Sequence, residues 1–193
     1  MSERLHHWEQ VWRTKQPGEV SWYVEHPATS YDLIARYAPA GSVIDVGGGE
    51  SRLGSMLAAA GHDVAVLDIA PNLSTPVERV TRITADITCW RADRTYAVWH
   101  DRAAFHFLTH QADRDAYVAC GAAAVSCGGV AIIATFAFDG PETCSGLPVV
   151  RYDTATLAAC FAPSFDLIDS TDEIHVTPWQ STQHFIYAVL RRR

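Results

Sequence analysis

The chain has no C-x-x-C pair, and its five cysteines, at positions 89, 120, 127, 144 and 160, are odd in number. That argues against a disulfide framework. The opening Met1-Ser-Glu-Arg lacks signal-peptide character, and together these features suit a reducing cytoplasm. Basic charge is also in deficit: 15 basic residues face 22 acidic ones, a formal charge of −7. That balance argues against a broad phosphate-binding surface, so no nucleic-acid partner is expected. Arg191-Arg192-Arg193 is the one basic run and reads as a solvated tail. His6-His7 has no paired spacing with cysteine or acid, so no metal site is expected. Internal repeats and low-complexity segments are absent. The uncharged run at residues 116–138 is long enough for a membrane span, but Gly121, Ser126 and Gly128-Gly129 interrupt it. Its first half is small and helix-like and its second half strand-like, which predicts helix, turn and buried strand, with no membrane partner.

What is present is a chain of 193 residues, 48% of them hydrophobic, enough for one domain with a full core. It is organised around residues 42–53. A β-branched run from Val43 to Val46, with Asp45 inside it, stops at three glycines. Leu53, Met56, Leu57 and Ala60 then follow at helical spacing, and Gly61 closes the pattern. Strand, glycine turn, helix is the reading. Such a turn lets backbone approach a ligand closely, and the helix start offers free amide donors.

Before it, residues 3–13 carry Leu5, Trp8, Val11 and Trp12 as one face of a helix. Pro17-Gly18 breaks it, Val20-Ser-Trp22-Tyr23 follows, and a second helix after Pro27 bears Tyr31, Ile34 and Tyr37. Downstream, strands are expected at residues 64–67, 82–84, 96–99 and 130–136. Between the second and third, Pro71 and Pro76 leave room only for a turn or two of helix near Val77. A helix over residues 112–125, the turn Gly128-Gly129, a long loop from Ala137 to Arg151 and a short helix with Leu157 and Phe161 come next. Two alternating runs, Phe165 to Val176 and His184 to Leu190, close the chain as an antiparallel pair.

Alternating strands and helices predict a doubly wound parallel α/β sheet, whose ligands sit at the carboxyl ends of its strands. Asp45, Asp68, Asp86 and His100-Asp101-Arg102 all fall there. A dinucleotide fingerprint from Gly47 needs glycine or alanine at position 52, where the chain has Arg. The spacing acid-x-Gly-x-Gly fits Asp45, Gly47 and Gly49 instead, with Ser51 in place of a further glycine.

On these residues the chain resembles the class I S-adenosylmethionine-dependent methyltransferases over nearly its full length. The resemblance implies a Rossmann-like, seven-stranded sheet, mostly parallel with an antiparallel C-terminal strand, in a single domain of residues 1–193. Residues 1–40 would form a helical lid and residues 41–193 the cofactor-binding core. It implies S-adenosyl-L-methionine as cofactor, with Gly47 and Gly49 against the methionine part, Asp68 and Ile69 at the ribose, and Asp86 with Ile87 at the adenine. Asp45 has two readings, a buried carboxylate that ties the loop or a direct cofactor contact.

Trp8, Trp12 and Lys15, Trp22-Tyr23, the phrase Trp99-His-Asp-Arg102 and Gly140-Pro141 together resemble the thiopurine and thiol methyltransferase group. That implies Trp8 and Trp12 in a lid over the cofactor and Arg102 as a substrate contact. Aromatic faces stabilise a sulfonium, and a closed lid excludes water. The alternative is that both tryptophans are only the core side of an amphipathic helix.

His100, Asp101 and Arg102 form the candidate catalytic set, with His100 also near the cofactor. His106, between Phe105 and Phe107, reads as structural. Trp22, Tyr23, Arg102, Cys144 and Arg151 are the candidate substrate contacts. Cys144 is not required as a nucleophile, and Arg151 either binds an acidic acceptor or pairs with Asp153. The expected function is methyl transfer to a small molecule, a thiol or other soft nucleophile. Protein lysine methylation is the alternative, and a non-catalytic nucleotide-binding module a third reading.

Overall fold

The computed structural model describes residues 3–71 and 77–193. Strand β1 (Ser42–Val46) lies in the middle of a sheet, with β2 (Asp63–Asp68) and β3 (Val80–Thr84) on one side. On the other stand β4 (Tyr96–Arg102), β5 (Val125–Phe136) and, last in the chain, β9 (Thr182–Arg192) and β8 (Phe165–Val176). The order is β3-β2-β1-β4-β5-β9-β8, seven strands in all. β1 to β5 run parallel, and β9 is antiparallel to both its neighbours. A two-stranded hairpin, β6 (Thr143–Cys144) with β7 (Leu147–Pro148), stands outside this sheet.

Helices cover both faces, because strands buried on two sides must hide both sets of side chains. On one face α4 (Gln111–Ala124) and α5 (Thr154–Phe161) place Tyr117, Leu157 and Phe161 on Ile44, Leu67, Trp99 and Ile133. On the other, α2 (Ala28–Tyr37) and α3 (Leu53–Ala59) place Leu33, Ile34, Leu53 and Leu57 on Val43, Val66, Val98 and Ile132. α2 is thus a layer of the core, whereas α1 (Glu3–Thr14) buries only Val11 and lies at the carboxyl ends of the strands.

Three expectations are corrected. No helix forms at Val77: the chain passes through a turn at Glu78 and Arg79 directly into β3, while Pro76 lies outside the described residues. Gly128-Gly129 does not precede β5 but sits within it, where the register with β4 shifts between Tyr96 and Val98 and Gly128 takes φ +77°. In α3 the buried face is Leu53, Gly54, Leu57 and Ala58, not Met56 and Ala60, because Gly54 lets the helix settle against Val66. The uncharged run divides into α4 and β5, and among the described residues no helix is long and apolar enough to cross a membrane.

Candidate active site

At the carboxyl ends of β1, β2 and β4 the structure holds a partly open cavity with about 770 Å³ of space between protein atoms, its mouth included. Gly47, Asp68, Ile69, Asp86 and Ile87 line one side. Trp8, Trp12 and Trp22 line another, with Phe107, Leu108 and Cys144 beyond them.

The glycine turn is packed on every side. Gly47 has φ +68°, and a Cβ there would lie 2.5 Å from the Cβ of Ala104. Gly49 has φ +46°, and its Cβ would lie 2.8 Å from the Trp12 ring. Gly49 therefore sits under Trp12 and does not line the cavity.

Asp68 ends β2, half-buried, with its Oδ1 accepting from the Ala70 amide at 3.0 Å and its carboxylate also held by the amides of Gly49 and Ile69. Burial raises its pKa to about 6 against the lowering effect of these hydrogen bonds. Asp86 is shared between the cavity and its own loop. Its Oδ1 accepts from the amide and hydroxyl of Thr88, at 2.9 and 2.7 Å, and its Oδ2 lies 3.7 Å from Arg4 of α1.

The three tryptophans form one cluster. Trp8 meets Trp22 edge to face at 5.7 Å and Phe107 at 5.0 Å, and Trp12 meets Trp22 at 6.1 Å. Arg4, Trp8 and Trp12 recur every fourth residue, so one face of α1 closes the cavity. That spacing is the signal in the sequence for Arg4.

Neighbouring residues on a strand point to opposite faces, and this separates the candidate catalytic set. Asp101 faces α4: fully buried, it accepts from Ala104 N at 2.8 Å, Phe105 N at 3.0 Å and the Tyr117 hydroxyl at 2.6 Å. Its carboxylate ties the loop after β4, so the expected catalytic part for Asp101 is corrected. Burial lifts its pKa to about 6.

His100 and Asp45 face the other way, side by side in the register of β1 and β4, with His100 Nδ1 2.7 Å from Asp45 Oδ1. Both are buried and absent from the lining of the first cavity. Both residues line a second, smaller cavity, together with Tyr23 and Ser51, and this cavity meets the first at Trp12, Trp22, Gly47 and Arg102.

Arg102 touches both cavities, yet its donors serve the protein. Nε donates to the Tyr187 hydroxyl at 3.0 Å, Nη1 to the Trp22 carbonyl at 3.1 Å and Nη2 to Glu173 at 2.8 Å, with the guanidinium over the Phe185 ring. It ties the aromatic segment to the last strand pair while standing in the wall of both cavities. Neither Tyr187 nor Glu173 carried a sequence signal, since both lie far along the chain.

Tyr23 donates to Glu25, which also pairs with Arg52 at the rim. Cys144 lines the first cavity as a buried thiol, its pKa pushed up to about 11 by burial. Arg151 lies outside both cavities: it donates to the carbonyl of Phe138 at 2.7 Å and pairs with Glu142 at 2.9 Å, not with Asp153, which caps α5. Both sequence readings of Arg151 are therefore corrected. His106 is buried between Phe107 and Phe136, and burial beside Arg102 lowers its pKa to about 3.

No protein-family model matches the chain, and no curated protein matches it in sequence. Solved structures do. One, reported for the conversion of a disulfide bond into a thioacetal group during echinomycin biosynthesis, has a TM-score of 0.78 at 19% identity, over 98% of this chain and 92% of that one. The 1,6-didemethyltoxoflavin-N1-methyltransferase of Burkholderia thailandensis, with bound 1,6-didemethyltoxoflavin and S-adenosylhomocysteine, has a TM-score of 0.74 at 18% identity over 97% and 83%. A TehB-like SAM-dependent methyltransferase from Corynebacterium glutamicum has a TM-score of 0.64 at 15% identity over 98% of both chains. The chain therefore shares its fold with structures described as S-adenosylmethionine-dependent methyltransferases.

Proposed function

We propose that this protein is an S-adenosylmethionine-dependent methyltransferase acting on a small molecule. The observation that carries the reading is Asp68: a carboxylate at the end of β2, fixed by backbone amides, on the wall of a cavity that Gly47 and three tryptophans also line. An acid so placed accepts hydrogen bonds from two ribose hydroxyls. Ile69 and Ile87 supply apolar surface for a purine, with Asp86 beside them. Gly47 brings the turn to the cavity wall, Gly49 lets Trp12 lie close over the turn, and Trp8 and Trp12 of α1 serve as the lid over residues 41–193.

When bound, the cofactor supplies an electrophilic methyl group on a sulfonium. The chain's own part is to hold the acceptor in line with that carbon, to face the positive charge with tryptophan rings and to keep water out. The 1,6-didemethyltoxoflavin-N1-methyltransferase, which holds 1,6-didemethyltoxoflavin and S-adenosylhomocysteine, has the same fold and supports a small acceptor here. The expectation of a thiol rests on the family resemblance, and the protonated, buried Cys144 thiol is a lining group and not a participant.

Titration calorimetry with S-adenosylhomocysteine tests the cofactor. Binding is expected, with Asp68→Ala weakening it by about tenfold or more while circular dichroism stays unchanged. A wild-type protein that binds nothing overturns the reading. Labelled cofactor incubated with cell extract should mark small molecules; label found only on protein would instead favour lysine methylation.

A further inference from the structure

The first cavity runs along the ends of five strands, and the cofactor reading uses only part of it. Asp86 with Ile87 follows β3, Asp68 with Ile69 closes β2, and Gly47 follows β1. What remains is the end beyond β4, lined by Ala103, Ala104, Phe107 and Leu108, with Cys144 from the β6–β7 hairpin that follows β5. Trp8 joins this end to the tryptophan cluster, its ring meeting Phe107 at 5.0 Å and Trp22 at 5.7 Å, edge to face in both cases. An acceptor held there reacts either through a proton given up to a base or through a lone pair that is already free.

The titratable groups of the lining are Arg4, Asp68, Asp86, Arg102 and Cys144. Asp68 belongs to β2, two strand spacings or roughly 10 Å from β4, and Asp86 lies beyond it after β3. Arg4 pairs with Asp86 and Asp113. A guanidinium takes no proton, and the Cys144 thiol keeps its own, burial having pushed its pKa up to about 11. The imidazoles of His7, His100 and His106 stand outside the lining. Among the described residues, the acceptor end therefore holds no base. An anion is no better matched, because a buried charge is costly unless paired. Arg102, the cation of the lining nearest this end, already pairs with Glu173 at 2.8 Å and donates to the Tyr187 hydroxyl and the Trp22 carbonyl.

We infer that the acceptor is a small, neutral aromatic compound that reacts through an atom with a lone pair and no hydrogen, a pyridine-type nitrogen or a thioether sulfur. This rests on the methyl-transfer reading above. The lone pair forms the bond to the methyl carbon as the carbon–sulfur bond of the sulfonium breaks, the electrons of that bond staying on sulfur. No proton moves. The positive charge passes from the sulfonium to the methylated acceptor, and it does so beside the rings of Trp8, Trp22 and Phe107, whose faces stabilise a cation before and after the transfer.

Quinoline and thioanisole are the probes, with 4-nitrophenol and thiophenol as counterparts that carry a proton. Given the full-length protein and methyl-labelled S-adenosylmethionine, label is expected chiefly on quinoline or thioanisole, as a cationic product. Which of the two takes it separates nitrogen from sulfur. The rate should be level from pH 7 to 9, a range in which Asp68, with its pKa of about 6, stays ionised and Cys144 stays protonated; a rise toward about tenfold per unit would reveal a base at work and overturn the inference. Phe107→Leu keeps the wall apolar but removes one ring, and it should slow transfer to quinoline about fivefold while leaving the affinity for S-adenosylhomocysteine as it was. An unchanged rate in that variant overturns the part given to the rings. Label chiefly on 4-nitrophenol or thiophenol, or on none of the four, overturns the acceptor class. Calorimetry with S-adenosylhomocysteine keeps the two readings apart: if it binds and the probes fail, the acceptor class falls alone, and if it does not bind, the methyl-transfer reading falls as well.

Discussion

His175 donates from Nε2 to the carbonyl oxygen of Ser21 at 2.7 Å, tying the edge strand β8 to the segment that carries Trp22. Arg102 holds the next carbonyl of the same segment, that of Trp22 itself, from inside the sheet. The aromatic wall between the two cavities is thus pinned from two strands far apart in sequence.

Removing the inner pin should be costly. Arg102 and Glu173 form a pair that is mostly buried, and taking away one partner leaves the other charge without compensation. Arg102→Met is expected to lower stability by about 3–5 kcal/mol, and Tyr187→Phe, which removes one neutral partner, by about 1 kcal/mol. Urea unfolding at neutral pH measures both.

Affinity for S-adenosylhomocysteine should depend on the ionisation of Asp68. Its pKa is raised to about 6 in the free protein, and the carboxylate form is the one that accepts from two hydroxyls. Affinity is expected to be level above that pH and to fall toward tenfold per unit below it. In Asp68→Asn the affinity should be lower throughout and the slope flat. Calorimetry between pH 5 and 8 reads the difference, and an equal slope in both proteins would sink the assignment.

Acid stability should carry the mark of His106. Its folded pKa is lowered to about 3, so below the ordinary histidine value of 6.5 the unfolded chain takes a proton that the native state refuses. Stability is therefore lost as pH falls from 6.5 toward 3. Asp101 acts in the opposite sense: with its folded pKa raised to about 6, its contribution favours the native state as pH falls from about 6 toward the ordinary aspartate range. The gap in urea midpoint between His106→Phe and wild type should widen in favour of the variant as pH drops from 7 to 4.

Two substitutions in the loops around the cavity should move stability in opposite directions. Ala103 follows β4 with φ +73°, in the left-handed region that favours glycine, and Ala103→Gly should be neutral or stabilising by up to about 1 kcal/mol. Gly49→Ala should destabilise and also weaken S-adenosylhomocysteine binding, because the new Cβ displaces Trp12. Thermal melts and calorimetry on the pair check this.

Much of the frame is visible in local sequence. The β-branched run before Gly47, the helix after it and the acids that follow each strand all depend on near neighbours, and the elements lie where their periods suggest, although the buried face of α3 turns toward Gly54 and Ala58. The departures come from contacts over long separations. Asp101 adjoins His100, so strand parity alone separates them, but which one meets a cavity depends on α4 supplying Tyr117 and β1 supplying Asp45. Arg102 reads as a free cation until β8 and β9 return from the end of the chain with Glu173 and Tyr187. Arg151 departs for a nearer reason: Glu142 and two carbonyls of its own loop hold it.

The contact between Gly47 and Ala104 reaches into the history open to this chain. A Cβ at position 47 would overlap that of residue 104, and both are fixed by backbone and not by a flexible side chain. Enlargement at either position is thus conditional on the other, and the loops after β1 and β4 can drift only as a couple. Ala104→Gly frees room without relieving the positive φ at Gly47, so the route to a larger residue there is closed by conformation even when space is opened.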